Sequence, residues 1–266
     1  MKRFISYLAF LLPVFLVITF LIILYFGLQL IRPLTEDTSK TQPSTSATEK
    51  EGEPATLIKW HKQTFAYTLI RVKDINGLEL INNQKKVGSD QLIKQHNCKQ
   101  ATNGSFYDQQ NNPLGLLLIE NKIISPAIES ELFNGYWWLS LLGSLGISVD
   151  LPDIELQYAL QSGPLLILNN EPLKLSINND KLARRIIVAT TTDEPMVFLA
   201  IYDPNSVFDG PKLADLPLIL QEIAKQENML FVEALNLDGG SASMLKNLEL
   251  YLNEFKPIGN MFCLTS

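Results

Sequence analysis

The most informative stretch of the chain covers residues 230–243 and has the sequence LFVEALNLDGGSAS. Its first half is apolar and has the length of a buried strand. Asp238, two glycines and two serines follow together at the predicted strand end. Glycines lack the Cβ atoms that would keep a ligand from the backbone, and their turns can aim several N–H groups at one anion. The stretch therefore predicts an anion-binding loop beside Asp238, although an ordinary turn or a helix cap would use the same residues.

A helix is predicted directly before this strand, over residues 212–228. Leu213, Leu216, Leu220, Ile223 and Ala224 fall near one helical face there, and a proline at position 217 fits the first turn. A second, short helix is predicted from residue 89 or 90 to 98. Predicted strands occupy most of the rest. Residues 65–72 and 78–81 are predicted as a hairpin around an Asn-Gly turn, and further strand-rich segments cover 113–119, 122–124, 135–149, 158–168, 186–192 and 196–202. The pattern predicts an α+β fold, a mixed strand-rich sheet domain with a few helices.

The N-terminal region differs from the rest of the chain. Residues 4–31 carry no charge, and a helix of that length exceeds the roughly 30 Å hydrocarbon core of a bilayer. We expect a transmembrane anchor over residues 1–32, with a cleaved signal peptide as the alternative. Lys2 and Arg3 place the N-terminus in the cytoplasm and the C-terminal domain outside it. Residues 33–56 are polar and predict a disordered linker, which leaves one domain over residues 57–266.

Charge and composition exclude several classes of protein. The formal net charge of −6, the isoelectric point near 5.1 and the scattered lysines argue against a nucleic acid partner. The two cysteines, Cys98 and Cys263, could form one disulfide, a pairing that their spacing leaves undecided. The two histidines, His61 and His96, do not lie at the spacing of a cysteine–histidine metal cluster.

Three further segments combine polar groups with glycine or arginine. In an extended conformation, Asn103, Ser105 and Tyr107 would share one face and could line a polar groove, although a plain bend would use the same residues. A turn at residues 162–163 separates two apolar runs. Arg184 and Arg185 precede another apolar run, where an arginine needs either an anion such as phosphate or a structural carboxylate partner.

Four segments, taken in this order, resemble the phosphodiester glycosidase family: 103–107 (NGSFY), 162–166 (SGPLL), 185–189 (RIIVA) and 236–241 (NLDGGS). The resemblance extends from residue 101 to the C-terminus, and the family more often has glycine at the positions of Ser105 and Ala189. It implies catalytic roles for Asp238, Asn103 and Arg185. The substrate-binding residues that it implies are Gly104, Tyr107, Ser162, Gly163, Gly239, Gly240 and Ser241.

The resemblance implies a hydrolase that cleaves the sugar–oxygen bond of a glycosyl-1-phosphodiester, such as one in a cell-envelope glycan. Arg185 and the glycine loop would hold the phosphate while Asp238 assists at the anomeric carbon. Conventional glycosidases need a second carboxylate, and the candidates are Glu233, Asp108, Asp203 and Asp209. A divalent cation among these acids stays possible. The competing hypotheses are a metal-dependent phosphodiesterase and a non-catalytic module that binds anionic glycans.

Overall fold

The computed structural model of the chain describes residues 55–206 and 208–265. The expected anchor over residues 1–32 and nearly all of the expected linker lie outside the described residues. The first strand begins at Thr56, the last residue of that expected linker. Within the described ranges, no helix is both long enough and apolar enough to cross a membrane.

The described residues form strands and two α-helices. The helices are α1 (Ser89–Gln95) and α2 (Leu216–Glu227), and short 3-10 turns cover Leu213–Asp215 and Gly240–Ala242. The strands are β1 (Thr56–Trp60), β2 (Gln63–Val72), β3 (Leu78–Asn82), β4 (Gln100–Asn103), β5 (Leu117–Ile119), β6 (Lys122–Ser125), β7 (Gly135–Ser140), β8 (Leu145–Ser148), β9 (Leu156–Ser162), β10 (Leu165–Leu168), β11 (Glu171–Pro172), β12 (Arg185–Thr191), β13 (Met196–Tyr202), β14 (Phe231–Asn236), β15 (Leu245–Lys246), β16 (Tyr251–Leu252) and β17 (Asn260–Leu264).

The strands form three antiparallel sheets. A seven-stranded sheet has the order β1-β2-β13-β12-β14-β10-β11, and two five-stranded sheets have the orders β16-β15-β4-β17-β3 and β6-β5-β9-β7-β8. Because side chains alternate along a strand, β12 contributes to two cores. Ile187 packs with α2 on one face of the large sheet, whereas Ile186 packs with Trp137, Leu160 and Phe262 of the smaller sheets on the other face.

The predicted α+β class is confirmed, since strands dominate and two helices are present. The helix predicted over residues 212–228 is α2, preceded by a 3-10 turn, with proline in its first turn and Asn228 ending it in the left-handed conformation. The short helix α1 begins as predicted at Ser89 but ends at Gln95. The strand pairs β5–β6 and β12–β13 also form.

The predicted hairpin between β2 and β3 is wrong. Strand β2 pairs with β1 on one side and β13 on the other, so neither of its edges is available to β3. Strand β3 instead pairs with β17 in a different sheet. The chain does turn at the Asn-Gly pair, but the two strands pair with partners that are distant in sequence and not with each other.

Candidate functional site

Asp238 lies where β14 ends, at the junction of two sheets. The N–H of Leu237 still donates to Ile186 of β12 at 2.8 Å, whereas the N–H of Asp238 donates to the carbonyl of Gly104, just after β4, at 3.1 Å. The Asn103 side-chain amide donates to the carbonyl of Asp238 at 2.9 Å. The segments of Asn103 and Asp238, which the sequence analysis selected, therefore do meet.

Asp238 is half-buried as a residue, and desolvation of its carboxyl group raises the pKa from 3.8 to about 7. One oxygen accepts a hydrogen bond from the N–H of Gly239 at 2.8 Å, which opposes the shift. A carboxyl with a pKa near neutrality can exchange a proton with a reactant at neutral pH. Asp238 therefore has the property that acid–base catalysis requires.

The two loop glycines are needed for different reasons. A Cβ on Gly239 would lie 2.6 Å from the carbonyl oxygen of Arg184, too close for any side chain. Gly240 has a φ of +62°, which favours glycine, and its N–H donates to the same Arg184 carbonyl at 2.7 Å. The loop is thus pressed against the start of β12, which fixes the position of Asp238.

Asn103 is a positioning residue in this structure. Its side chain is buried, its amide donates to Asp238 and Gly104, and its oxygen accepts from the N–H of Met244 at 2.8 Å. These backbone partners use both ends of the amide. Asn103 therefore joins β4 to the Asp238 loop, and the expected catalytic role of its amide stays a prediction.

Asn260 is a residue of this site that no motif in the sequence predicts. Its side-chain oxygen accepts from the N–H of Ser105 at 2.9 Å, and its amide donates to the Ser105 hydroxyl at 3.0 Å. A Cβ on Gly104 would lie 1.9 Å from this Asn260 oxygen. The Asn260 side chain leaves no room for a Cβ at Gly104, so glycine is needed there. It also gives the buried Ser105 hydroxyl a hydrogen-bond partner, so serine is compatible with burial at 105.

We expect Gly104→Ala to destabilise the domain by about 1–3 kcal/mol, because the added methyl group must displace a buried, hydrogen-bonded amide. Thermal unfolding of the purified domain measures the effect. The matched control is Gly88→Ala, since a Cβ at Gly88 meets nothing within 4 Å. Equal melting temperatures for the two variants would contradict the close contact at Gly104.

Tyr107 links the site to the segment before β17. Its hydroxyl donates to the carbonyl of Pro257. Burial, together with the negative charges of Asp238 and Glu254, raises the pKa of Tyr107 to about 12. The phenol is therefore protonated at physiological pH and lies in the field of two carboxylates.

Glu254 is the second carboxylate of this network, and no motif in the sequence predicts it. Its two oxygens accept hydrogen bonds from the N–H and the hydroxyl of Ser89, at the start of α1. Burial lowers the pKa of Arg184 and raises that of Tyr251, and the charge of Glu254 opposes the first shift and adds to the second. Glu254 lies in an irregular segment between β16 and β17, where no periodic pattern marks it as a site residue.

The other proposed acids serve local structure. Asp108 accepts hydrogen bonds from Asn112 and Gln110, and the bonds from Asn112 are the main cause that lowers its pKa. Glu233 accepts from the hydroxyl of Thr190. Asp203 and Asp209 accept hydrogen bonds within the loop after β13. Across residues 55–206 and 208–265, no group of three or more histidine, cysteine or acidic side chains could hold a metal ion.

The arginine that contacts the Asp238 loop through its side chain is Arg184 and not Arg185, for which the family resemblance implies the catalytic role. Arg184 is 1% exposed, and its guanidinium donates to the hydroxyl of Ser243 at 2.7 Å and to the carbonyl of Asn253 at 2.6 Å. Burial lowers its pKa to about 10, so it stays charged. Arg184 therefore places a buried positive charge beside Ser243, at the end of the glycine loop.

The guanidinium of Arg185 points to the other face of the large sheet. It donates to the carbonyls of Pro211 at 3.0 Å and Lys181 at 2.6 Å, and it pairs with Asp180 at 3.4 Å. Asp180 in turn accepts from the N–H of Leu213, where the 3-10 turn before α2 begins. Alternation along β12 directs the Arg185 side chain toward the segment before α2, and its expected phosphate contact stays a prediction.

Ser162 and Gly163 support the end of β14. The buried Ser162 hydroxyl donates to the carbonyl of Asn236 at 2.8 Å, and the Asn236 amide donates to the carbonyl of Gly163 at 2.9 Å. A Cβ on Gly163 would lie 2.0 Å from the carbonyl oxygen of Leu132. Both residues therefore support the strand that carries Asp238, and their expected contact with substrate stays a prediction.

The segment 253–257 lies against the loop through Ser241. The carbonyl of Ser241 accepts two hydrogen bonds, from the N–H of Phe255 at 2.8 Å and from the N–H of Lys256 at 2.9 Å. The side chains of Phe255 and Lys256 are exposed at this point. The backbone carbonyl of Ser241 thus holds segment 253–257 beside the glycine loop, and two exposed side chains of that segment lie there.

Cys98 and Cys263 form a disulfide, the pairing that their spacing left undecided. The bond joins the turn after α1 to β17. Cys263 lies opposite Ala101 of β4, two residues from the pair formed by Met261 and Asn103. The disulfide therefore reinforces the two strands that carry Asn103 and Asn260.

Fold and site together define a strand-rich domain with a protonatable carboxyl on a glycine loop between two sheets. A sequence model of the phosphodiester glycosidase family matches residues 96–265, and the chain belongs to this family. No functionally curated protein matches the chain.

Two solved structures share the fold. The first is the zebrafish N-acetylglucosamine-1-phosphodiester alpha-N-acetylglucosaminidase catalytic domain, auto-inhibited by its pro-peptide, with 13% identity, a TM-score of 0.61, and 80% of this chain and 82% of that chain covered. The second is a hypothetical protein from Synechocystis, with 13% identity, a TM-score of 0.55, and 79% and 61% covered. At this identity the similarity shows the fold alone.

Proposed function

We propose that this protein is a hydrolase that cleaves the sugar–oxygen bond of a glycosyl-1-phosphodiester. The observation that carries the proposal is the position of Asp238, on a glycine loop hydrogen-bonded to Gly104 and Asn103, in a member of the phosphodiester glycosidase family. Burial raises the pKa of this carboxyl to about 7. The family membership and the name of the zebrafish relative favour N-acetylglucosamine as the sugar.

In the proposed reaction, ionised Asp238 takes a proton from a water molecule. The water oxygen forms a bond to the anomeric carbon, the bond from that carbon to the phosphate oxygen breaks, and the phosphate monoester leaves with the bonding electrons. A phosphate leaving group is already acidic, so it does not need a protonated acid beside it. This makes a general base the more useful role for Asp238.

Glu254 has a different role in this proposal. Because the transition state of glycoside hydrolysis carries positive charge on the sugar ring, a second carboxylate nearby stabilises it. Two hydrogen bonds from Ser89 hold the Glu254 carboxylate, and the charges of Glu254 and Asp238 both act on Tyr107. Glu254 thus replaces Asp108, Asp203, Asp209 and Glu233 as the proposed second acid.

The base role predicts the direction of the pH dependence. Below pH 7, kcat/KM should fall about tenfold per pH unit, because protonated Asp238 cannot accept a proton, and it should level off above pH 7. A phosphodiester keeps one negative charge throughout this range, so the substrate does not titrate. The measurement is the release of free sugar from N-acetylglucosamine-1-phosphate methyl diester between pH 5 and 9. A rate that falls as the pH rises through 7 would show that Asp238 acts as an acid instead.

We further propose that residues 4–31 anchor the protein in a membrane and that the domain acts outside the cytoplasm on a cell-envelope glycan. The uncharged N-terminal stretch and the Cys98–Cys263 disulfide support this location, since disulfides persist in oxidising compartments. Protease added to intact cells should digest the domain, and digestion only after lysis would place it inside.

A further inference from the structure

The exposed side chains of segment 253–257 are unusual because their backbone is firmly held. Phe255 is 77% exposed, yet its N–H and that of Lys256 both donate to the carbonyl of Ser241. Arg184 fixes the start of the segment through Asn253. A large apolar ring and an ammonium group are therefore presented to solvent on a fixed backbone, next to the loop that carries the base.

Phe255 also has an aromatic neighbour that belongs to a different part of the chain. The Phe208 ring lies 6.1 Å from the Phe255 ring, between centroids. The guanidinium carbon of Arg184 lies 4.9 Å from the Phe208 ring centroid, and the Arg184 N–H donates to the Phe208 carbonyl. One buried arginine thus positions Phe208, Asn253 and, through Ser243, the end of the glycine loop.

We infer that Phe255, Phe208 and Lys256 form the leaving-group subsite, and this inference rests on the proposed function. With the anomeric carbon at Asp238, the phosphate and its alcohol must extend away from the sugar. The carbonyl of Ser241, three residues beyond Asp238, accepts from the N–H groups of Phe255 and Lys256, so both residues lie beside the glycine loop. The Lys256 ammonium attracts the phosphate, and the two rings pack against an alcohol that contains a six-membered ring with an apolar face.

The test for the aromatic pair compares three N-acetylglucosamine-1-phosphate diesters, whose alcohols are methanol, benzyl alcohol and the primary hydroxyl of a methyl pyranoside. We expect wild type to prefer the ring-containing diesters. Phe255→Ala should lower the ratio of kcat/KM for a ring diester to kcat/KM for the methyl diester about fivefold, because only the ring diesters pack on Phe255. Phe255→Leu, which is apolar but not flat, should give a smaller reduction.

The matched control is Leu142→Ala, which removes a 96% exposed apolar side chain from the turn between β7 and β8. A lower kcat/KM ratio for the pyranoside diester alone would identify a sugar as the alcohol. A lower ratio for both ring diesters would show that the subsite accepts any six-membered ring. An unchanged ratio in Phe255→Ala, or an equal loss on all three substrates, would overturn the inference while leaving the hydrolase intact. A wild-type protein inactive on every diester would remove the proposed function itself.

Lys256 is tested through ionic strength. Lys256→Gln should raise KM for all three diesters about threefold at low salt, the size expected for one exposed charge pair. Added salt should raise the wild-type KM more than that of the variant, because the pair is screened. Lys225→Gln, on exposed α2 surface, is the matched control. Identical salt dependence in Lys256→Gln and wild type would exclude a contact between Lys256 and phosphate.

Discussion

Asp238→Asn should lower kcat for release of free sugar by about 10²–10⁴-fold, because the amide cannot accept a proton from water. Asparagine has nearly the same shape, and its oxygen can still accept the hydrogen bond from Gly239. The measurement is sugar release from the methyl diester under saturating substrate. Asp193→Asn is the matched control, since Asp193 is an exposed acid in the turn between β12 and β13.

The same variant should also be more stable than wild type at high pH. The pKa of Asp238 is raised in the folded state, so the stability that its protonated form contributes is present below pH 4 and is lost as the pH rises toward 7. Asparagine carries no charge at any pH and avoids this loss. We expect Asp238→Asn to melt above wild type at pH 8 and close to it at pH 4. Full activity in this variant, whatever its stability, would remove Asp238 from the mechanism.

Replacing both Cys98 and Cys263 with serine should reduce the free energy of unfolding by roughly 3–5 kcal/mol. The disulfide joins residues 165 positions apart, and a bond that closes so long a loop restricts the unfolded chain strongly. For a domain of this size the loss corresponds to a melting temperature lower by about 10 °C. Thermal unfolding followed by circular dichroism measures it.

The control for the disulfide is chemical. Wild type treated with reductant should have the same melting temperature as the double variant. Reductant should not change the melting temperature of the double variant. At low temperature the variant should retain most of its activity, because the pairing of β4 and β17 holds Asn103 and Asn260 without the bond. A double variant that melts within about 2 °C of oxidised wild type would show that the bond contributes little.

The sequence predicts the part of the site that depends on local pattern. The apolar run before Asp238 marks β14, the periodic face after residue 212 marks α2, and the glycines mark a loop pressed against another backbone. These signals are local, because a strand end and a tight turn need particular residue types wherever the strand lies in the sheet.

The remaining parts depend on contacts that only the folded chain defines. Arg184 and Arg185 are adjacent, and which of them faces the glycine loop depends on which side of β12 is covered by α2. Glu254 and Phe255 lie in an irregular segment whose place at the site is set by hydrogen bonds to Ser89 and Ser241. No periodicity in the sequence records such contacts.

Hydrolysis in ¹⁸O-labelled water tests the central claim most directly. Wild-type protein and N-acetylglucosamine-1-phosphate methyl diester are incubated in labelled water, and the label in both products is measured by mass spectrometry at early times. Cleavage of the sugar–oxygen bond predicts ¹⁸O in the sugar hydroxyl and none in the phosphate, after correction for spontaneous exchange of the free sugar measured in parallel. Label in the phosphate would show that water attacks phosphorus, and the protein would then be a phosphodiesterase.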